Sequence, residues 1–350
     1  MTVPADQYHA ARERAGLFDR TARGRLLVSG GDRAAFLHGI LTNDIAALAP
    51  GQGCYAMYLT VQGRVIADMD VLNTGDAFLL GVHADVTAAL CARLDQLVFT
   101  EDVRIADGTD ALAEWHVCGP EAAVLVASLA EVSEGRLAPA RLAALPEYGS
   151  LPVRIGAGDV RVARLSPTGL DGFSLFVDAA HGTFVHRTLV AAGAVELSPE
   201  VVETLRVEAG VPAFHRDIDE TTIPLETGVE ARAISFTKGC YVGQEVIVRV
   251  MHRGHGRVAR KLVGLAVDGE VVPVPGDPIR VGDRDAGRVT SAVRSPALGR
   301  PIALGYVHRD CLEPGTAVEI VRADARLPAV VTALPFVRQE PGRPAPSAAR

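Results

Sequence analysis

The sequence predicts an α+β protein: ferredoxin-like layers of sheet and helix, followed by a small C-terminal β-barrel. Between residues 24 and 197 the chain twice runs through the same order of strands and helices. Its strands outnumber what a doubly wound sheet needs, and the hairpins are antiparallel. From Lys261 to about Val337 no helical period survives, and short apolar strands are broken by Gly and Pro.

Taken in order, MTVPADQYHAARERAG reads as an amphipathic helix without the apolar stretch of a secretion signal. GRLLVSG (24–30) is a strand ending at a Gly-Gly turn, and Ser29 or Asp32 caps a helix that runs through residue 41. CYAMYLT (54–60) and GRVIADMDVL (63–72) form a hairpin, and DAFLLGV (76–82) extends the sheet. Val86, Leu90, Leu94 and Leu97 mark a helix over 84–97. The order then repeats, with strand 113–119, a helix near 120–131, strands 151–155, 159–165 and 173–178, and a helix at 180–192. A further helix covers 199–209. Six apolar segments, from LVGLAV to LPAVVTAL, supply the barrel, with 268–278 as a loop inside it.

The chain has 350 residues, 48% hydrophobic and 22% charged, a globular balance too long for one ordinary core. The expected division is 1–258, a barrel over 259–337 and a Pro-rich disordered tail, 338–350. A net charge of -7 argues against general nucleic-acid binding. No run of 18 apolar residues occurs, so no membrane span is expected. Five scattered cysteines without a CxxC pair fit a reducing cytoplasm. The histidines show no metal-ligand spacing and no metal site is expected; HExxH, Walker and GxSxG patterns are absent.

The most distinctive segment is Lys238-Gly239-Cys240-Tyr241-Val242-Gly243-Gln244-Glu245. Two glycines bracket the cysteine and suit a tight turn. An ammonium two residues away, and a helix starting near Gly243, would both favour a thiolate. The other reading of Cys240 is a buried small hydrophobe. All but Lys238 and Lys261 of the 35 basic residues are arginine, which makes a lysine beside this cysteine notable. Arg249, Arg253, Arg257, Arg260 and Lys261, with His252 and His255, then form a basic run, either a solvated face or a dock for a carboxylate tail or phosphate.

The octapeptide matches the K-G-C-[FY]-x-G-Q-E signature, so the chain resembles the YgfZ-type folate-binding proteins, relatives of the glycine-cleavage T-protein, an aminomethyltransferase. Blocks 17–44, 50–72, 166–177 and 205–226 extend the resemblance over roughly residues 5–335. The resemblance implies a core that binds tetrahydrofolate or a derivative. By it, Glu208 in LRVEAG holds the pterin, and Asp68 lies where the T-protein has an acidic pair beside the reactive folate nitrogen. Only one of that pair is present, because the chain reads Ala67-Asp68, with Asp70 on the same strand face. Asn43, in LTND, and Phe173 are expected to line the cleft, with Arg249 on the folate's anionic end and Cys240 and Lys238 as the working thiol and its activator.

The function implied is a folate-binding accessory protein for iron–sulfur cluster assembly or repair, with iron–sulfur client or assembly proteins as partners and indirect support for tRNA modification. The alternative is a folate-dependent aminomethyl- or one-carbon transferase.

Overall fold

The computed structural model describes residues 3–252, 256–323 and 325–338. Residues 339–350 of the expected tail and two members of the basic run, Arg253 and His255, lie outside the described residues. Helix α1 (Ala5–Glu13) leads into strand β1 (Gly16–Asp19). The first unit follows as β2 (Gly24–Ser29), α2 (Arg33–Ile40), β3 (Gly53–Leu59), β4 (Val65–Asn73), β5 (Ala77–Val82), α3 (Thr87–Asp95) and β6 (Arg104–Asp107). Its five strands stand in the order β3-β4-β5-β2-β6, and every pairing is antiparallel. That is the ferredoxin-like order with one extra edge strand, β3.

The second unit is β7 (Leu112–Cys118), α4 (Ala122–Leu129), β8 (Glu131–Val132), β9 (Gly135–Arg136), α5 (Pro139–Ala143), β10 (Ser150–Ile155), β11 (Gly158–Arg164), β12 (Gly172–Asp178), α6 (Ala179–Ala191) and β13 (Val195–Glu196). Its sheet runs β13-β1-β7-β12-β11-β10-β8-β9. The same order recurs, except that β1 is inserted between β13 and β7. The two units are therefore interlocked, because the strand preceding the first sheet belongs to the second.

Period-2 alternation sends one face of each sheet to its helices and the other toward the opposite sheet. Leu26, Val28, Met69 and Leu80 pack with Leu37, Leu90 and Leu94 on one outer side. Val117, Val162 and Leu175 pack with Val126, Val185 and Leu189 on the other. Between the sheets, Tyr55, Met57, Leu72 and Leu79 meet Ala163 and Phe176. Helices α7 (Pro199–Ala209), α8 (Glu230–Ala233) and α9 (Gln244–His252) belong to the segment that leads on to the barrel. Ile234, Tyr241 and Ile247 from this segment close the inter-sheet core.

Strands β14 (Arg260–Val267), β15 (Pro278–Val281), β16 (Arg284–Ser295), β17 (Arg300–His308), β18 (Ala317–Arg322) and β19 (Ala325–Thr332) form a closed barrel. It docks through buried polar contacts: Arg206 Nη2 donates to Ser291 Oγ at 2.7 Å, and Ser291 Oγ donates to Asp217 at 2.8 Å. The fold expectation holds, with short elements unforeseen (β1, β6, β8, β9, β13, α5 and α8). Asp32 sits at the N-cap of α2 but makes no side-chain cap; its carboxylate accepts the Asp102 N–H at 2.8 Å instead.

Candidate functional site

Two sheets packed face to face would ordinarily bury only apolar side chains between them. Here the interface also buries Arg20, Arg25, Asp68, Glu114, His116 and Ser174. The source is topological. The connection from β1 to β2 crosses from one sheet to the other and brings Arg20, Arg23 and Arg25 with it. Arg20 reaches Asp70 on β4 at 3.3 Å and Glu114 on β7 at 3.2 Å, so one guanidinium bridges both sheets. Arg25 Nη2 lies 3.4 Å from Glu114. Ser174 Oγ donates to Glu114 at 2.8 Å, and His116 Nδ1 is 3.0 Å from Ser174 Oγ. Burial, helped by Arg20, holds His116 well below its ordinary value and keeps it neutral.

Asp68 stands at the more open end of this cluster. Tyr55 pairs in register with Asp70, and its hydroxyl reaches diagonally to donate to Asp68 Oδ2 at 2.6 Å. Desolvation pushes the Asp68 carboxyl above the usual range, against the opposing Tyr55 hydrogen bond and the Arg23 charge. Arg232 stacks on the Tyr55 ring, 4.8 Å from its centroid. The side chains of Arg23 and Arg232 are 30% and 29% exposed, so solvent reaches this end. Asn43 lines the cleft only indirectly: its Nδ2 donates to the carbonyls of Tyr55 at 2.8 Å and Arg232 at 2.9 Å, fixing both.

The Nε atoms of Arg23, Arg25 and Arg232, and Nε2 of His116, are buried with no hydrogen-bond partner. A buried unpaired donor costs about 1–3 kcal/mol. Arg23 lies 3.9 Å from Asp70 and Arg232 stacks on Tyr55, the hydrogen-bond partner of Asp68, so two of these atoms belong to groups at the Asp68 end. The arrangement suits a ligand rich in acceptors, with an amine against Asp68. A cavity of about 760 Å³ opens elsewhere between the sheets, lined by Leu27, Leu79, Phe176 and Arg161 among others. None of these four unpaired donors lines it.

Other expected residues lie apart from this cleft. Glu208 is buried where α1, α7 and the barrel meet, and accepts from Tyr8 Oη at 2.7 Å, from Ser295 Oγ and from Arg12 Nη1 at 3.4 Å. Its carboxylate is met by these protein donors and not by members of the Asp68 cluster. Phe173 points into the helix-side core of the second sheet, because alternation turns Phe176, not Phe173, toward the first. Arg249 lies exposed on α9. In the same basic run, Arg260 pairs with Glu226 at 3.2 Å and Lys261 with Glu230 at 2.8 Å.

Lys238 also departs from expectation. Its ammonium donates to the carbonyls of His38, Leu41 (2.7 Å) and Asn43 (3.0 Å), capping the C-terminal end of α2. Burial pulls it down to about 8. The lysine thus staples its loop to α2 and is spent there, not on the thiol. Cys240 is exposed. Gly243 adopts φ +83°, and a Cβ there would stand 2.5 Å from the Thr60 carbonyl.

Sequence reasoning missed Tyr55, Arg20, Arg23, Arg25, Glu114, His116 and Arg232. Glu114 and His116, two apart on an otherwise largely apolar strand, were the available signal.

Two interlocked ferredoxin-like sheets around a buried ionic cleft, with a closed barrel docked on them, define a ligand-binding α+β protein. The family model of the GCVT N-terminal domain matches residues 2–238, and that of the glycine cleavage T-protein C-terminal barrel domain matches 260–338. The chain belongs to the glycine cleavage T-protein family, whose chemistry uses tetrahydrofolate.

It is 33% identical over 338 residues to the aminomethyltransferase of Rubrobacter xylanophilus, covering 97% of this chain and 87% of that one. The Streptomyces avermitilis aminomethyltransferase is 33% identical over 342 residues, covering 96% and 90%. The glycine cleavage system aminomethyltransferase T from Bartonella henselae has the same fold, with a TM-score of 0.83 at 22% identity over 95% of this chain and 89% of that one. These relatives carry the aminomethyltransferase name, which favours the transferase alternative over the narrower YgfZ-type expectation.

Proposed function

We propose that this chain binds tetrahydrofolate in the cleft at Asp68 and transfers an aminomethyl or related one-carbon unit to it. The observation that carries the reading is a buried carboxyl with a raised pKa, flanked by guanidinium N–H groups that lack acceptors. When bound, tetrahydrofolate supplies the nitrogen nucleophile that takes up the one-carbon unit. Asp68 would hold that nitrogen and exchange a proton with it, a task suited to a carboxyl that desolvation raises above its ordinary range. Arg23 and Arg232 hold the ligand's carbonyl and carboxylate oxygens. Tyr55 orients Asp68, and Asn43 positions Tyr55 and Arg232.

The test is equilibrium binding of tetrahydrofolate together with turnover of an aminomethyl donor. Binding with turnover supports the proposal, and absence of binding overturns it. A second reading is favoured by one observation, the exposed Cys240 within the YgfZ-type octapeptide. In it, folate binds without turnover, and the thiol serves iron–sulfur cluster assembly or repair and thereby enzymes that modify tRNA. Binding without turnover, with loss of cluster-dependent activity on Cys240→Ser, selects that reading.

A further inference from the structure

Three side chains from two separate segments of the chain meet at one point. His83 follows the end of β5, and a single 3-10 turn, Ala84–Val86, presents Asp85 beside it. His83 Nδ1 is 3.7 Å from Asp85 Oδ2. His215 arrives from the turn after α7, closed by Asp217 N–H to the Ala213 carbonyl at 2.8 Å and His215 N–H to the Ile218 carbonyl at 2.7 Å. The neighbouring Phe214 is anchored in the inter-sheet core.

The imidazoles of His83 and His215 stand 4.9 Å apart, edge to face at 86°. One donor atom from each of His83, Asp85 and His215 lies within 4.8 Å of the other two. Bonds of about 2.0–2.2 Å around a divalent ion place ligand atoms roughly 3–3.5 Å apart. Small rotations of partly exposed side chains close the difference.

Two features favour a ligating role over casual proximity. His215 holds φ at +63°, a conformation that disfavours residues with a Cβ. Among the described residues, its imidazole packs against His83 and Phe214 and makes no hydrogen bond.

We propose that His83, Asp85 and His215 form a site for a divalent first-row transition metal. Two imidazoles and one carboxylate with remaining positions open to solvent suit Zn²⁺ or Co²⁺ and not an all-oxygen cation such as Mg²⁺. His83 lies two residues beyond Gly81, whose carbonyl accepts from Arg23 Nη2 at 3.0 Å, so the site adjoins the strand end that meets Arg23.

The experiment is calorimetric titration of the full-length, tag-free protein with Zn²⁺, and Co²⁺ absorption in parallel. One Zn²⁺ per chain is expected, with no uptake of Mg²⁺ and a Co²⁺ spectrum lacking a thiolate charge-transfer band. His83→Ala and His215→Ala should each weaken binding by at least about tenfold. His215→Gly should lose binding equally while folding at least as well as the parent, since glycine accepts the positive φ. Failure of the parent to bind Zn²⁺, undiminished binding by the His83→Ala/His215→Ala double variant, or a thiolate band overturns the proposal.

Discussion

Asp68 and Glu208 are both carboxylates almost wholly removed from solvent, yet their surroundings are opposite. Glu208 takes three donors from two elements: Tyr8 and Arg12 on α1, and Ser295 on the barrel. Its own carbonyl accepts two more, from Phe336 at 2.9 Å and Val337 at 3.2 Å. Among the described residues, the Asp68 carboxyl receives one hydrogen bond, from Tyr55, and stands near guanidinium Nε atoms that have no acceptor. A carboxylate whose lone pairs are filled by its own chain holds a junction together. One left short, beside donors equally short, is arranged for a visitor.

The sharpest way to break this contrast is Asp68→Asn. Turnover should fall by about 10²–10⁴-fold, as for loss of a proton-transferring group, while thermal stability stays level or rises. The sign follows from linkage. Because the folded-state pKa is raised, the Asp68 contribution is fully present below the unfolded value of about 3.9 and is lost as pH rises through the folded value. The advantage of asparagine should therefore be absent in acid and grow toward neutrality. A stability loss at pH 7 would show that Asp68 is a structural anion after all.

Glu208→Ala should do the reverse. About 3 kcal/mol of stability should disappear in denaturant unfolding, because buried partners lose their anion. Tetrahydrofolate affinity in the remaining folded protein should be unaltered. The same distinction applies on a smaller scale within the Lys238–Glu245 segment. Lys238→Met should cost about 1–2 kcal/mol by stripping three carbonyls of their donor. Cys240→Ser should change stability by no more than about 0.5 kcal/mol, as expected of an exposed position.

Much of the fold was legible in the sequence because its strands and helices have strong, distinct periods. The hairpin over β3 and β4, the repeated unit order and the barrel all follow from where apolar residues fall. The short strands β1 and β13 were illegible, since four and two residues carry no period and are fixed by their partners. The site was harder to read. Asp68 and Asn43 could be placed by resemblance, but whether Glu208 faces a ligand depends on Ser295, far along the chain. Arg20, Arg23 and Arg25 hid in a chain whose basic residues are nearly all arginine. Lys238 misled for another reason: nearness in sequence to Cys240 does not set where a long, flexible side chain points.

The insertion of β1 between β13 and β7 also governs the order in which the molecule can be completed. Gly16 pairs with Cys118 on one side and Val195 on the other. During synthesis the first strand therefore emerges long before its last partner exists. The first sheet can close on its own hairpins, while β1 and the arginine-bearing crossover wait for the second sheet to be built around them. Pairings of such separation close slowly, because a long loop must be ordered before any contact rewards it. The cleft is thus among the last parts to form, and an incomplete chain has a first sheet but no place to hold a ligand.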